Sequence, residues 1–206
     1  MQNRLLFLVF FLSISAAAWA QDSTVVKVHF LYGSKPKREC KKTERKWFGG
    51  ILGGHTGIET NRDMVLHFLP KGKFHRVENH KDRHSCYQID ALKDFWQVFG
   101  GKANKVKTLT IAVPVSMAQK KTLDSLAVQY MKETPYDYAF WGMRCGAATY
   151  EKLAQIGIFK QYSRRRTYRK IFYPKKLRRK LIRKAEKNGW KIERQAGDNC
   201  RRWERD

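Results

Sequence analysis

His55-Thr56-Gly57-Ile58-Glu59-Thr60-Asn61-Arg62-Asp63-Met64-Val65-Leu66-His67-Phe68-Leu69 is the stretch on which the fold turns. His55 to Glu59 and Met64 to Leu69 are short runs with β-branched and apolar residues, separated by Asn61-Arg62-Asp63, whose residue types favour a turn. The stretch reads as an antiparallel hairpin with one histidine on each strand. With the turn centred near Asn61, positions 55 and 67 face each other, where cross-strand side chains interact directly.

The flanks supply more sheet and then helix. Upstream, Val25 to Tyr32 is rich in valine and aromatic residues and closes at Gly33-Ser34, a strand ending in a turn. A basic loop follows, and the glycine-paired run from Trp47 to Gly54 reads as a sharp bend before His55. Downstream, Lys71 to Ser85 is polar and histidine-rich, read as a loop or hairpin extension, and Val106 to Val115 is a further strand. Ser116-Met117-Ala118-Gln119 has capping-box spacing, and Leu123, Leu126, Ala127, Tyr130 and Met131 recur at helical intervals until Thr134-Pro135. Cys145 to Ile156 has helical spacing through Ala148, Leu153 and Ile156, with Gly157 as its stop. The expected class is α+β: a small antiparallel sheet carrying His55 and His67, packed on the helix that starts at Cys145.

Charge and the two ends of the chain constrain its setting. Met-Gln-Asn-Arg, an apolar run from Leu5 to Ala17 and then Ala18-Trp19-Ala20 follow the order of a secretion leader, expected at 1–20 and cleaved after Ala20. That predicts an exported protein, periplasmic or extracellular, of about 186 residues, enough for one core. The formal charge is +25 with 13% aromatic residues, which excludes a disordered chain and calls for solvent or an anionic partner. The 48 residues from Phe159 hold 19 Lys and Arg against 5 Asp and Glu, a net of +14. Within them Pro174 opens a helix with the apolar stripe Leu177, Leu181, Ile182 and Ala185, closed at Asn188-Gly189, and a short strand is expected over Trp190 to Arg194. The tail 159–206 is thus expected to pack on the same domain as 21–158. Arg164, Arg165, Arg166, Lys175, Lys176, Arg178, Arg179 and Lys180 are its candidate contacts to an anionic membrane surface or envelope polymer. Specific nucleic-acid binding is not expected.

Cys40, Cys86, Cys145 and Cys200 sit in a chain where disulfides are permitted. Two disulfides are the default; a working thiol at Cys145 leaves three others, of which one pair at most bridges. A cysteine nucleophile needs a helix N-terminus, a histidine in reach and a third polar group to orient that histidine. Cys145 opens a helix after a loop, with Arg144 adding positive field, and His55 and His67 share the hairpin. His75, His80, His84 and Cys86 form a second cluster with zinc-ligand residue types, but its polar, aperiodic context favours a solvated loop, and no metal or other cofactor is expected.

The order His-x-Gly-Ile, a second His twelve residues later on a strand, and a Cys at the start of a glycine-terminated helix resembles the circularly permuted branch of the NlpC-type papain-like superfamily, which includes lecithin retinol acyltransferase. The resemblance spans Val25 to Ile158 and includes Val113-Pro114-Val115-Ser116 and Pro135-Tyr136-Asp137. It implies a papain-like fold with Cys145 as nucleophile, His55 as general base and His67 as the residue orienting it. Tyr136 and Tyr138 are candidates for the substrate cleft or the oxyanion. The family often has Asn before the Cys, where this chain has Arg144, and the tail after Phe159 has no counterpart there. The expected function is an exported cysteine hydrolase or acyltransferase working through a thioester, on cell-wall peptides first and lipid esters second. The alternative is a non-catalytic cationic envelope protein whose binding weakens steeply with salt.

Overall fold

A computed structural model describes residues 23–44, 53–79, 81 and 83–206. The leader expected at 1–20, the bend at 47–52 and His80 lie outside the described residues. In chain order the elements are β1 (Ser23–Leu31), β2 (Ser34–Pro36), β3 (His55–Asn61), β4 (Met64–Pro70), β5 (His75–Val77), β6 (Ser85–Ala91), α1 (Leu92–Gln97), β7 (Thr108–Ser116), α2 (Met117–Lys132), β8 (Ala139–Trp141), α3 (Cys145–Gln155), α4 (Arg164–Lys170), α5 (Pro174–Asn188), β9 (Ile192–Gln195) and β10 (Arg201–Trp203). The class is α+β. Six strands form the main sheet in the order β6-β4-β3-β1-β7-β9, every neighbouring pair antiparallel, so the sheet is larger than expected.

Strand alternation gives the sheet two unlike faces. Val26, Val28 and Phe30 of β1, Leu109, Ile111 and Val113 of β7, Ile58 of β3 and Leu66 and Phe68 of β4 point one way. There they form a single core with Leu123 and Ala127 of α2, Ala147, Ala148 and Leu153 of α3, and Leu177, Leu181 and Ala185 of α5. Each fully buried aliphatic side chain contributes roughly 1.5–3 kcal/mol. The opposite face carries His29, His55 and His67, and Phe95 of α1 lies against all three rings.

The hairpin forms as the turn residues require, but in a different register. Gly57 pairs with His67 and Ile58 with Leu66, and a bulge separates Glu59 from Asn61. His55 and His67 are therefore diagonal neighbours on one face rather than directly opposed. The turn closes at Arg62-Asp63 rather than at Asn61, and with the one-residue bulge the pairing lies two residues from the expected register, a shift that keeps every side chain on its own face.

Ser116 caps α2 as its spacing demands: its hydroxyl accepts the Gln119 N–H at 3.2 Å and its own N–H reaches Gln119 Oε1 at 2.8 Å, an arrangement worth about 1 kcal/mol. Met131, placed on the apolar stripe, is 46% exposed. The expected loop from Lys71 to Ser85 instead contributes β5, which pairs in parallel with β8. Beyond it, β6 and α1 were not anticipated at all.

The basic tail is built into the fold. Pro174 opens α5, and Leu177, Leu181, Ile182 and Ala185 are buried. A Cβ on Gly146 would come within 3.0 Å of the Pro174 backbone, so α5 starts against α3 only because residue 146 lacks one. β9 extends the main sheet on β7, β10 pairs with β2, and Cys40 is bonded to Cys200. That disulfide, 160 residues apart in sequence, contributes about 2–4 kcal/mol in the usual range. It leaves Cys86 and Cys145 free, so the two-disulfide default does not hold.

Arg178 overturns its expected place on the anionic-surface face. It is fully buried, with Nη2 3.0 Å from Glu204, Nε 2.6 Å from Asp206, and its guanidinium 3.8 Å from the Tyr32 ring. Its position beside Leu177 and Leu181 on the stripe turns it inward, where only paired carboxylates make burial tolerable. Removing one partner of such a pair costs about 3–5 kcal/mol. Arg164, Arg165, Arg166, Lys176, Arg179 and Lys180 are exposed and Lys175 is half-buried.

Candidate active site

Cys145 is the first residue of α3 and is 2% exposed. Arg144 precedes it in extended conformation and supplies no side-chain cap, so the first N–H groups of the helix are left to other acceptors. The backbone N–H groups of Gly146 and of Thr56, on β3, both lie near enough to the sulfur to favour its ionised form. Tyr138 directs its hydroxyl at Sγ from 3.8 Å. Burial pushes the thiol up; Tyr138, Arg144 and the two N–H groups act against that rise without cancelling it. The resting group at neutral pH is a thiol rather than a preformed thiolate. The Arg144 guanidinium stacks over Phe172 at 3.9 Å and Tyr173 at 4.9 Å, tying the entrance of α3 to the entrance of α5.

On the other face a chain of three groups runs across the sheet. His55 Nε2 lies 2.8 Å from His67 Nδ1, and His67 Nε2 lies 2.9 Å from Asp90 Oδ2 on β6. Asp90 also accepts from Gln88 at 2.7 Å. This order fixes the tautomers. A carboxylate at Asp90 accepts the hydrogen bond donated by His67 Nε2–H, so neutral His67 presents Nδ1 as an acceptor, and His55 must carry its proton on Nε2. His55 Nδ1 is then left with its lone pair. Burial holds His55 well below the usual imidazole range, with His67 adding to the fall. Burial also lowers His67, partly offset by Asp90. A Cβ on Gly57 would meet Val65 Cγ1 at 2.5 Å and Phe95 at 3.0 Å; its absence lets Phe95 close over the two imidazoles.

Alternation along β3 sends His55 toward α1 and Thr56 toward the face on which α3 packs. Among the described residues no hydrogen bond joins Cys145 to His55. The connection between them is the backbone of Thr56, one residue from His55, whose N–H acts on the ionisation of the thiol.

No family model, curated protein or solved structure matches the chain.

The remaining candidates divide. Tyr138 touches the sulfur. Tyr136 is fully buried with its hydroxyl between Tyr87 and Glu151 at 2.7 Å, so it belongs to the core and lines no cleft. His75 bonds Asp137 at 2.5 Å and its ring lies 4.9 Å from that of His84; among the described residues no three His, Cys, Asp or Glu side chains are grouped to hold a metal ion. Cys86 is half-buried and apart from a disulfide, with burial raising its thiol.

Asp90 was missed by sequence reasoning. The alternation Tyr87-Gln88-Ile89-Asp90 was the available sign: Tyr87 pairs with Phe68 on the core face, which sends Gln88 and Asp90 to the face of the histidines. A second array on that face was missed too. His29 Nε2 lies 2.9 Å from Glu59 and its Nδ1 2.9 Å from Thr110 Oγ1, while Lys27 reaches Glu59 at 3.2 Å.

Proposed function

We propose that the chain is a cysteine hydrolase or acyltransferase of the permuted papain-like kind, in which Cys145 carries an acyl group as a thioester. The observation that supports this best is the Asp90–His67–His55 chain, whose hydrogen-bond order leaves the lone pair on His55 Nδ1, while the backbone N–H of the next residue along β3 favours ionisation of a free thiol at a helix N-terminus.

The thiol is raised and the imidazole lowered, so proton transfer accompanies attack rather than preceding it. Because His55 and Cys145 lie on opposite faces at the start of β3, the transfer we propose runs through a bridging water: Sγ bonds to an amide or ester carbonyl carbon as its proton passes by way of that water to His55 Nδ1, and the positive imidazole is stabilised through His67 by Asp90. The N–H groups at the start of α3, with the Tyr138 hydroxyl, stabilise the oxyanion. His55 then protonates the departing amine or alcohol, leaving a thioester on Cys145. Water, or an acceptor amine or alcohol, attacks the thioester while giving its proton to His55, and the thiol is restored as the acid or the new acyl product leaves. Cell-wall peptides are the favoured substrates on the exported setting, lipid esters the next.

The test is acylation with p-nitrophenyl acyl esters followed by intact mass and peptide mapping. The expected result is one acyl adduct on the peptide holding Cys145, and none after Cys145→Ala, with that variant's melting temperature unchanged. Release of nitrophenol at the wild-type rate by Cys145→Ala overturns the mechanism. The non-catalytic reading draws on the buried, protonated state of the thiol and predicts no adduct and binding indifferent to Cys145.

A further inference from the structure

Large apolar side chains scattered singly on a surface need no explanation, but a cluster does. Of the eight exposed large apolar residues among the described residues, three fall on or beside the two-stranded ribbon of β5 and β8: Val77 at 65%, Trp141 at 57% and Phe74 at 49%. Val77 and Trp141 are register partners, so they project from the same side of the ribbon. The ribbon adjoins the sulfur: the Phe74 ring lies 5.8 Å from that of Tyr138, whose hydroxyl points at Cys145. Trp141 packs at 5.3 Å on Phe172, the residue over which Arg144 stacks.

Charge is interleaved with these side chains. Lys71, Lys73 and Arg76 alternate with Phe74 and Val77 along the chain and are exposed. Next to Phe172, Tyr173 packs on that ring at 4.7 Å and with Lys175, Lys176 and Arg179 borders a shallow hollow at the start of α5. An aromatic and aliphatic crest within a ring of cations suits the boundary between lipid headgroups and acyl chains, where the rings sink in and the cations hold anionic headgroups. A soluble polyanion would use the cations and leave the crest in water.

We propose that the β5–β8 ribbon, with Phe74, Val77 and Trp141 at its crest and Lys73 and Arg76 beside them, docks this protein on an anionic lipid bilayer with the mouth of α3 facing the membrane. The docking stands on the surface alone; that it serves a reaction rests on the function proposed above. The basic tail then contributes through the start of α5, with Arg178 committed to the interior.

Sedimentation of the full chain with vesicles of phosphatidylcholine, with and without phosphatidylglycerol, tests this. Binding is expected only where phosphatidylglycerol is present. The combined variant Phe74→Ser, Val77→Ser, Trp141→Ser is expected to lower the partition coefficient at least about tenfold, with an unchanged melting temperature because the three side chains are exposed. Trp141→Phe should keep binding while losing part of the fluorescence quenching caused by brominated lipid, which shows the crest in the bilayer. Wild-type partitioning of the triple variant, or undiminished quenching in Trp141→Phe, overturns the proposal. So does displacement by soluble polyphosphate that is equal for wild type and triple variant, which marks a polymer site. Cys145→Ala should bind as wild type, so loss of chemistry and loss of docking are read separately.

Discussion

Two histidine arrays share one face of the sheet and one covering helix, yet they are wired differently. Glu59–His29–Thr110 is closed: the carboxylate takes one ring nitrogen and the hydroxyl the other, and Trp96 packs edge-on at 5.3 Å. Asp90–His67–His55 is open: each bond passes a proton assignment along, and among the described residues the last ring has no hydrogen-bond partner at Nδ1. The same carboxylate–imidazole pairing thus ends on a hydroxyl in one place and on a second imidazole, the proposed base, in the other. What separates them is whether the terminal nitrogen has a partner among the described residues, and the open array ends beside the residue whose N–H favours ionisation of the Cys145 thiol.

Breaking the open array should have the largest effect. His55→Ala is expected to lower kcat/KM for an acyl ester by about 10²–10⁴-fold, whereas His29→Ala should leave it within a few-fold; equal losses would erase the distinction. Asp90→Asn comes next. It removes the acceptor that holds His67 in its tautomer and should cost about 10–100-fold in kcat with little change in KM. Glu59→Gln sharpens the contrast from the other side. It leaves His29 and Lys27 without their charged partner and should cost about 1–3 kcal/mol in urea unfolding, with activity retained.

The smallest effect is in the pH dependence of stability. His55 and His67 are held neutral below the ordinary imidazole value, chiefly by burial. Below about pH 6.5 the unfolded chain takes up protons that the folded chain refuses, so stability falls as pH drops, until the folded values are passed. Thermal melts between pH 7.5 and 5 should show this fall, and His55→Gln should make it shallower. A melting temperature that rises on acidification would contradict the assignment.

Several parts of this molecule were legible because their causes are local. Asn61-Arg62-Asp63 makes the turn, Ser116 and Gln119 the cap, Gly157 and Gly189 follow the ends of their helices, and the Leu177–Leu181–Ala185 spacing puts α5 on the core. Cys145 at a helix start and two histidines on paired strands, facing the same side of the sheet, were readable in the same way. Asp90 was not, because β6 reaches β4 only after a segment whose polar composition reads as loop. Nor was the inward turn of Arg178, which depends on two carboxylates at residues 204 and 206.

The sequence by itself determined the β3–β4 hairpin, the strands β1 and β7 and the helices α2, α3 and α5, with a cysteine at one helix start and a histidine on each hairpin strand. Propensity, capping and periodicity act over a few residues and are written in them. Tertiary structure alone decided the hairpin's register, the union of Cys40 with Cys200, the arrival of Asp90 behind His67 and the burial of Arg178. Each of these joins groups separated in the chain, and such pairings are selected by the packing of the whole core rather than by any segment's own preference.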